Sequence, residues 1–128
     1  DAAEAFLLDE CGAQPELDVE DLRNALRTVM WRYVGIERDA GGLQYALDNI
    51  EFWSGYVLDA EFPGPAGWEL QNMLALGRLM AWSALKRRES RGVHFRRDFP
   101  RTDDRRWSAH LVVSRDGVEY REQRRGNR

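Results

Sequence analysis

The sequence predicts a mainly α fold: an antiparallel three-helix bundle of the spectrin-repeat kind, followed by an extended segment and a small C-terminal β-hairpin. Three observations predict it. Apolar residues recur at helical period over three stretches, placing helices at about 18–34, 41–60 and 67–90. Short connections containing Gly or Pro separate them. After Gly92 the period is lost, and residues 91–128 read as an extended tail.

The first helix is announced by Asp18 as N-cap, with Asp21 three residues on as a short-armed capping box. Leu22, Ala25, Leu26, Val29, Met30, Tyr33 and Val34 then mark one buried face, and Gly35 supplies the stop. The second helix is expected to begin after Gly41-Gly42, with Leu43, Ala46, Leu47, Ile50, Trp53 and Val57 facing inward. It ends before Phe62-Pro63-Gly64-Pro65. In the third, Leu70, Met73, Leu74, Gly77, Met80, Ala81, Ala84 and Leu85 form the apolar side. Lys86, Arg87 and Arg88 complement the dipole at its end, and Gly92 is placed to take a left-handed conformation there. Three such helices can bury one another's faces. Trp31, Trp53, Trp68 and Trp82, on or beside the stripes, are assigned to core or interface packing.

Beyond Gly92, Val93 to Pro100 reads as extended, and Thr102-Asp103-Asp104 as the start of a helical turn carrying Trp107. Leu111-Val112-Val113-Ser114 and Val118-Glu119-Tyr120, joined through Arg115-Asp116-Gly117, read as a hairpin. The tail from Glu122 is expected to fray.

Composition supports one domain over residues 1–128. A hydrophobic share of 43% argues for a packed globule despite 32% charged residues. The single cysteine, Cys11, has no partner for an intramolecular disulfide, so a cytoplasmic setting is the default. The chain opens Asp1-Ala2-Ala3-Glu4 without Met or signal stretch and is expected to be a piece of a longer polypeptide. No run is apolar enough for a membrane span.

Charge is lopsided. Residues 1–85 carry 5 basic and 15 acidic groups, residues 86–128 carry 14 basic and 7 acidic. Acids interleave with these arginines and no nucleic-acid motif accompanies them, so the expected partners are carboxylates, not nucleic acid. His94, His110, Asp98, Asp103, Asp104 and Cys11 fit no metal-loop spacing. No strand, glycine-rich turn and helix occur in the order a dinucleotide site needs, so the chain is expected to hold no catalytic, cofactor-binding or metal residue.

Arg91, His94 and Arg96 are the candidate site residues, as a domain interface. They admit two readings. In one, Arg91 and Arg96 clamp Glu89 or Asp98 and fasten the segment over the helices, with His94 a partly buried imidazole. In the other, the alternation of an extended segment turns His94 and Arg96 outward to a carboxylate-bearing partner. The second predicts that Arg96→Ala weakens docking in the intact protein and leaves this chain nearly as stable as before.

The stretch Arg88-Glu89-Ser90-Arg91-Gly92-Val93-His94-Phe95-Arg96-Arg97-Asp98-Phe99-Pro100, with Asp103-Asp104 and Trp107, resembles the C-terminal region of the succinate dehydrogenase/fumarate reductase flavoprotein family, which includes the L-aspartate oxidases. Met30-Trp31 and Val34-Gly35-Ile36-Glu37-Arg38 resemble the oxidase branch more than the dehydrogenase branch. Glu69-Leu70-Gln71-Asn72-Met73-Leu74 and Ala84-Leu85-Lys86-Arg87 are similar to both.

The resemblance implies a C-terminal helical domain of an FAD enzyme that oxidises L-aspartate to iminoaspartate in NAD biosynthesis. It also implies a flavin-binding domain of the same polypeptide as partner and quinolinate synthase as recipient of the product. It carries over no catalytic residue, and the chain alone is expected to be colourless and inactive. The alternatives are a succinate dehydrogenase or fumarate reductase flavoprotein and, in another class, a stand-alone helical interaction module.

Overall fold

A computed structural model describes residues 18–114 and, as backbone, 117–122. The expectations for Cys11, for the Arg115-Asp116 part of the turn and for the tail after Glu122 lie outside these residues. Over the described residues the fold is mainly helical, with a few short strands.

Helix α1, Val19–Tyr33, starts where Asp18 is extended and its carboxylate accepts from the amides of Glu20 and Asp21, each at 3.0 Å. Those amides have no carbonyl within the helix, so the acid satisfies donors that would otherwise depend on water. Helix α2, Ala40–Val57, starts one residue before Gly41-Gly42 rather than after them. The reason is Asp39, whose carboxylate accepts from the Gly42 amide at 2.7 Å and draws the glycines into the first turn. The helix ends at Val57, short of the expected 60. The Gln71 side-chain amide donates to the carbonyls of Val57 (2.9 Å) and Ala60 (3.0 Å), holding the exit as a turn.

Helix α3, Pro65–Lys86, begins with proline in its first turn, where the missing N–H costs nothing. It stops four residues before the expected 90, because Arg87 turns extended and Glu89 and Ser90 are drawn inward. Gly92 does take a left-handed backbone, φ +57°, but not at this helix end. It stands six residues further on, in a two-residue turn closed by Arg91 N–H to the His94 carbonyl (2.8 Å) and His94 N–H to the Arg91 carbonyl (3.0 Å). A positive φ at the first central position is what such a turn requires, and glycine supplies it without a Cβ clash.

The three long helices pack on one another and the core falls into two joined parts. Val34, Leu43, Ala46, Leu47, Ala81 and Ala84 form one; Leu26, Ile50, Val57, Leu70 and Leu74 form the other. Gly77 lets the helices approach closely: a Cβ there would meet Met30 Sδ of α1 at 3.3 Å and Ile50 Cδ1 of α2 at 3.5 Å. Met80, expected inside, is 47% exposed. The period gives its face only to within a residue's rotation, and Met80 lies at the edge of that stripe.

Two short strands, β1 (Glu37–Arg38) and β2 (Phe95–Arg96), pair in parallel with Arg38 opposite Arg96. The expected extended run over 93–100 is broken up: Val93, Arg97 and Asp98 lie in turns, and His94 forms a single antiparallel bridge to Arg91. Helix α4, Asp104–Trp107, is capped by Asp103, which accepts from the Arg106 amide at 3.2 Å, and it buries Trp107. Strands β3 (Ala109–Ser114) and β4 (Gly117–Glu122) pair antiparallel, with Leu111 opposite Tyr120.

Leu74 is fully buried in the second part of the core. Leu74→Ala is expected to destabilise the chain by about 2–5 kcal/mol, as large-to-small core substitutions do. Chemical denaturation measures it, and a neutral result would mean that α3 presents another face to α1 and α2.

Candidate functional site

The residues from Arg87 to Asp104 form a strap across the ends of the helices. Its centre is Glu89, fully buried, a position that a carboxylate occupies only when its lone pairs are taken. Four donors take them. Arg87 Nη1 reaches Oε1 at 2.5 Å, Arg91 contributes Nε to Oε1 (2.9 Å) and Nη2 to Oε2 (3.2 Å), and the Asp103 amide reaches Oε2 at 2.8 Å. Burial alone pushes the Glu89 carboxyl up, but the hydrogen bonds from Arg91, Asp103 and Arg87 outweigh it and hold the group below the usual carboxylate range. Ser90 closes the loop: its Oγ donates to the Phe99 carbonyl (2.8 Å) and accepts from the Arg96 amide (2.9 Å).

Of the two sequence readings, the structure shows the one in which Arg91 clamps Glu89 and Arg96 clamps Asp98 to fasten the segment over the helices, and the one that turned Arg96 outward is overturned. Arg96 is 1% exposed, and its guanidinium is spent inside the chain. Nη1 donates to the carbonyls of Ala84 (2.8 Å) and Leu85 (3.0 Å) at the end of α3. Nε and Nη2 form a fork on Asp98 at 2.8 and 2.6 Å. The last carbonyls of a helix lack internal partners and carry the negative end of its dipole, so a cation with several donors suits them. Asp98 in turn accepts from the Ala40 amide at the start of α2, 3.0 Å away. Its hydrogen bond to Arg96 holds its carboxyl low, against some opposition from burial.

Arg38, opposite Arg96 in the β1–β2 pair, does the same for α1. Its Nε donates to the carbonyls of Val34 and Gly35, both at 3.0 Å, and its Nη1 lies 2.7 Å from His94 Nδ1. Two adjacent strands thus place two arginines side by side, each on a different helix C-terminus. Arg97 and Asp39 add an ion pair at the start of α2. The strap therefore gathers the C-termini of α1 and α3 and the N-terminus of α2. Of these residues, sequence reasoning singled out Arg91, His94 and Arg96 but not Arg38, Arg87 or Ser90. The available signal was an arginine shortly after a helix stop, which Arg38 and Arg87 both satisfy.

His94 is half-buried, and its protonation state follows from its partners. A guanidinium can only donate, so Nδ1 facing Arg38 is the acceptor; Nε2, 3.1 Å from the Arg87 carbonyl, carries the hydrogen. The imidazole is neutral. Burial lowers its pKa; the hydrogen bond to Arg87 opposes this, while the charges of Arg38, Arg96 and Arg87 add to it.

The sign of the resulting pH dependence is definite. Near its ordinary value of 6.5 the unfolded chain takes up a proton that the folded chain refuses. Stability present above pH 6.5 is therefore lost as pH falls from there toward the depressed folded value, by up to about 1.4 kcal/mol per pH unit. His94→Gln, which keeps a donor and an acceptor, is expected to flatten this slope when denaturation midpoints are compared at pH 7.5 and 5.5. An unchanged slope would assign it to another group.

Chemically the strap holds rather than reacts. Glu89, Ser90, His94 and Arg96 are engaged with one another and with backbone, and both ring nitrogens of His94 are occupied. A cleft of about 920 Å³ beside it is lined by Leu47, Trp82, Leu85 and Phe99, and its charged lining holds two ion pairs, Arg78 with Glu51 and Arg96 with Asp98, besides Lys86 and Arg88. Nor do the described residues fit a flavin dinucleotide. The glycine pair lies in the first turn of α2, whose N-terminus already faces the carboxylates of Asp39 and Asp98, and these would repel a pyrophosphate. Arg91 is the member of the candidate set with a substantially exposed side chain, 41%, and it also pairs with Asp104 at 2.6 Å.

Residues 65–125 match the profile of a family described as fumarate reductase flavoprotein C-term. The chain is 37% identical over 114 residues to an uncharacterised FAD-dependent oxidoreductase of Methanocaldococcus jannaschii, covering 85% of this chain and 21% of that protein. It is 44% identical over 78 residues to an L-aspartate oxidase of Rhodospirillum rubrum, covering 61% and 25%. The fold superposes on a structure of the Mycobacterium smegmatis Sdh1 complex in the apo form with a TM-score of 0.72 and 27% identity. That match covers 99% of this chain and 25% of the other. The chain thus spans about a fifth to a quarter of the length of these relatives.

Proposed function

Because the chain belongs to the succinate dehydrogenase/fumarate reductase flavoprotein family, whose C-terminal profile it matches, we propose that it is the C-terminal helical domain of an L-aspartate oxidase. The 44% identity to the Rhodospirillum enzyme carries this choice of branch. The exit Val34-Gly35-Ile36-Glu37-Arg38, which resembles that of the oxidase branch, supports it. In this reading the complete polypeptide binds FAD, oxidises L-aspartate to iminoaspartate in the cytoplasm, and delivers the product to quinolinate synthase for NAD biosynthesis. This domain is structural within it: an antiparallel, spectrin-repeat-like three-helix bundle closed by the strap and a C-terminal hairpin. The meeting of two helix C-termini and one N-terminus at the strap supports that arrangement.

Arg91, His94 and Arg96 lie at the edge that faces the flavin-binding domain, with Arg91 reaching outward and Arg96 holding the strap from behind. The alternative is a succinate dehydrogenase or fumarate reductase flavoprotein, favoured by the family whose profile matches.

The complete polypeptide decides between the branches. It is expected to purify yellow and to reduce oxygen or fumarate with L-aspartate as donor. Turnover of succinate without turnover of L-aspartate would transfer it to the dehydrogenase branch, and a colourless protein would remove both. The 128-residue chain by itself is expected to bind no flavin in an absorbance scan.

A further inference from the structure

The most exposed large apolar residues lie on segments that meet at one corner. Among the described residues Val93, Trp31 and Ile36 are the three most exposed of their kind, at 93%, 79% and 77%. They come from three places: the last turns of α1, the exit from that helix, and the tip of the turn at Gly92-Val93. One side chain joins these places. Arg38 holds the Gly35 carbonyl with Nε and His94 with Nη1, so the residues next to Ile36 and Val93 share a guanidinium. The strap thus carries Val93 to the end of α1.

Nothing within the domain requires these residues to be apolar. A two-residue turn tip is ordinarily polar, and its shape here is already met by Gly92. Exposed indole and aliphatic side chains grouped together, with arginine at their margin, have the composition of an interface centre and its rim. Arg91 and Arg97, with side chains 41% and 60% exposed, flank the tip in sequence.

We propose that Trp31, Ile36 and Val93 form the apolar knob by which this domain docks on the flavin-binding part of the same polypeptide, against an apolar patch. The proposal rests on the functional reading above. Two observations favour this occupant over a second copy or an unrelated partner. The fold fills 25% of a related chain at a TM-score of 0.72, so a body about three times its size is joined to it there. The tethered domain is also present at a high effective concentration whatever the protein concentration.

The test uses the complete polypeptide, with Ile36→Asp and Val93→Asp combined. Both positions are solvent-exposed in the domain, so its folding is expected to survive, as an unchanged far-UV circular dichroism spectrum of the complete polypeptide would confirm. Limited proteolysis that releases this domain from the complete polypeptide reads undocking. Cleavage is expected to accelerate by roughly tenfold or more, the ratio that loss of an interface hot spot produces, with flavin content falling in parallel. Phe52→Asp, 64% exposed on α2, serves as the control and is expected to change neither readout.

Unchanged cleavage and flavin content in the double variant would overturn the proposal. So would loss of self-association with cleavage unaltered, which would assign the knob to a second copy. A wild-type polypeptide that carries no flavin would defeat the functional reading instead, and is recognised before any variant is made.

Discussion

Glu89→Ala is expected to lower the unfolding free energy of the chain by about 3–5 kcal/mol, the range for removing one partner of a buried charge pair. The carboxylate is fully buried and receives Arg87, Arg91 and the Asp103 amide. Its removal leaves the Arg87 guanidinium, 16% exposed, with carbonyl partners but no counter-charge, and frees Asp103 from the turn that begins α4. Glu89→Gln keeps the shape and one acceptor, and is expected to fall between wild type and Ala. Urea denaturation at pH 7 measures all three, with Glu69→Ala as reference because Glu69 is 54% exposed in its pair with Arg23. That surface pair is expected to be worth no more than about 1 kcal/mol. Equal effects for Glu69→Ala and Glu89→Ala would mean that the strap is not built around Glu89.

Arg96→Ala is expected to cost a similar amount, about 3–5 kcal/mol, reversing the expectation drawn from sequence that the chain would barely notice it. The substitution orphans the carbonyls of Ala84 and Leu85, strips Asp98 of its counter-ion, and removes the guanidinium lying 5.1 Å from the Phe99 ring. Arg96→Lys is expected to recover little, since one ammonium cannot donate to a helix end and to a bidentate carboxylate on opposite sides. Amide hydrogen exchange over residues 83–99 reports it locally: protection should fall at the end of α3 and in the strap before it falls in the Leu26, Ile50 and Leu74 core. Uniform loss of protection would show that the strap and the core open as one unit.

The helices were legible because their cause is local and repetitive. Asp18 before an apolar stripe at helical spacing marks the start of α1 in any context, and the burial of Leu43, Ala46, Leu47, Ile50 and Val57 follows from period alone. Helix ends were less legible. Those of α2 and α3 depend on Gln71 and Arg96, which act across 11 or more residues, so no local pattern announces them. The strap was visible as a dense cluster of arginines, acids and histidine, and its resemblance to a flavoprotein family was carried by those same residues. The inward clamp of Arg91 and Arg96 was one of two readings the residues allowed, and the choice was not visible: alternation in an extended segment assigns His94 and Arg96 to one outward face, whereas the turn at Gly92-Val93 and the pairing of Phe95–Arg96 with Glu37–Arg38 interrupt that alternation.

By itself the sequence determined the helical class, the cap at Asp18, the helical turn beginning at Thr102-Asp103-Asp104, most of the apolar faces and the cation-rich C-terminal third, since each depends on residue type and short spacing. Only the tertiary structure decided that Arg38 and Arg96 stand side by side on two helix ends, that Glu89 is buried between Arg87 and Arg91, and that the segments carrying Ile36 and Val93 meet through Arg38. Those outcomes depend on contacts between residues up to about 60 positions apart, set by which helix termini come together. Charge and burial at such meeting points are properties of the assembled ends, not of any segment that contributes to them.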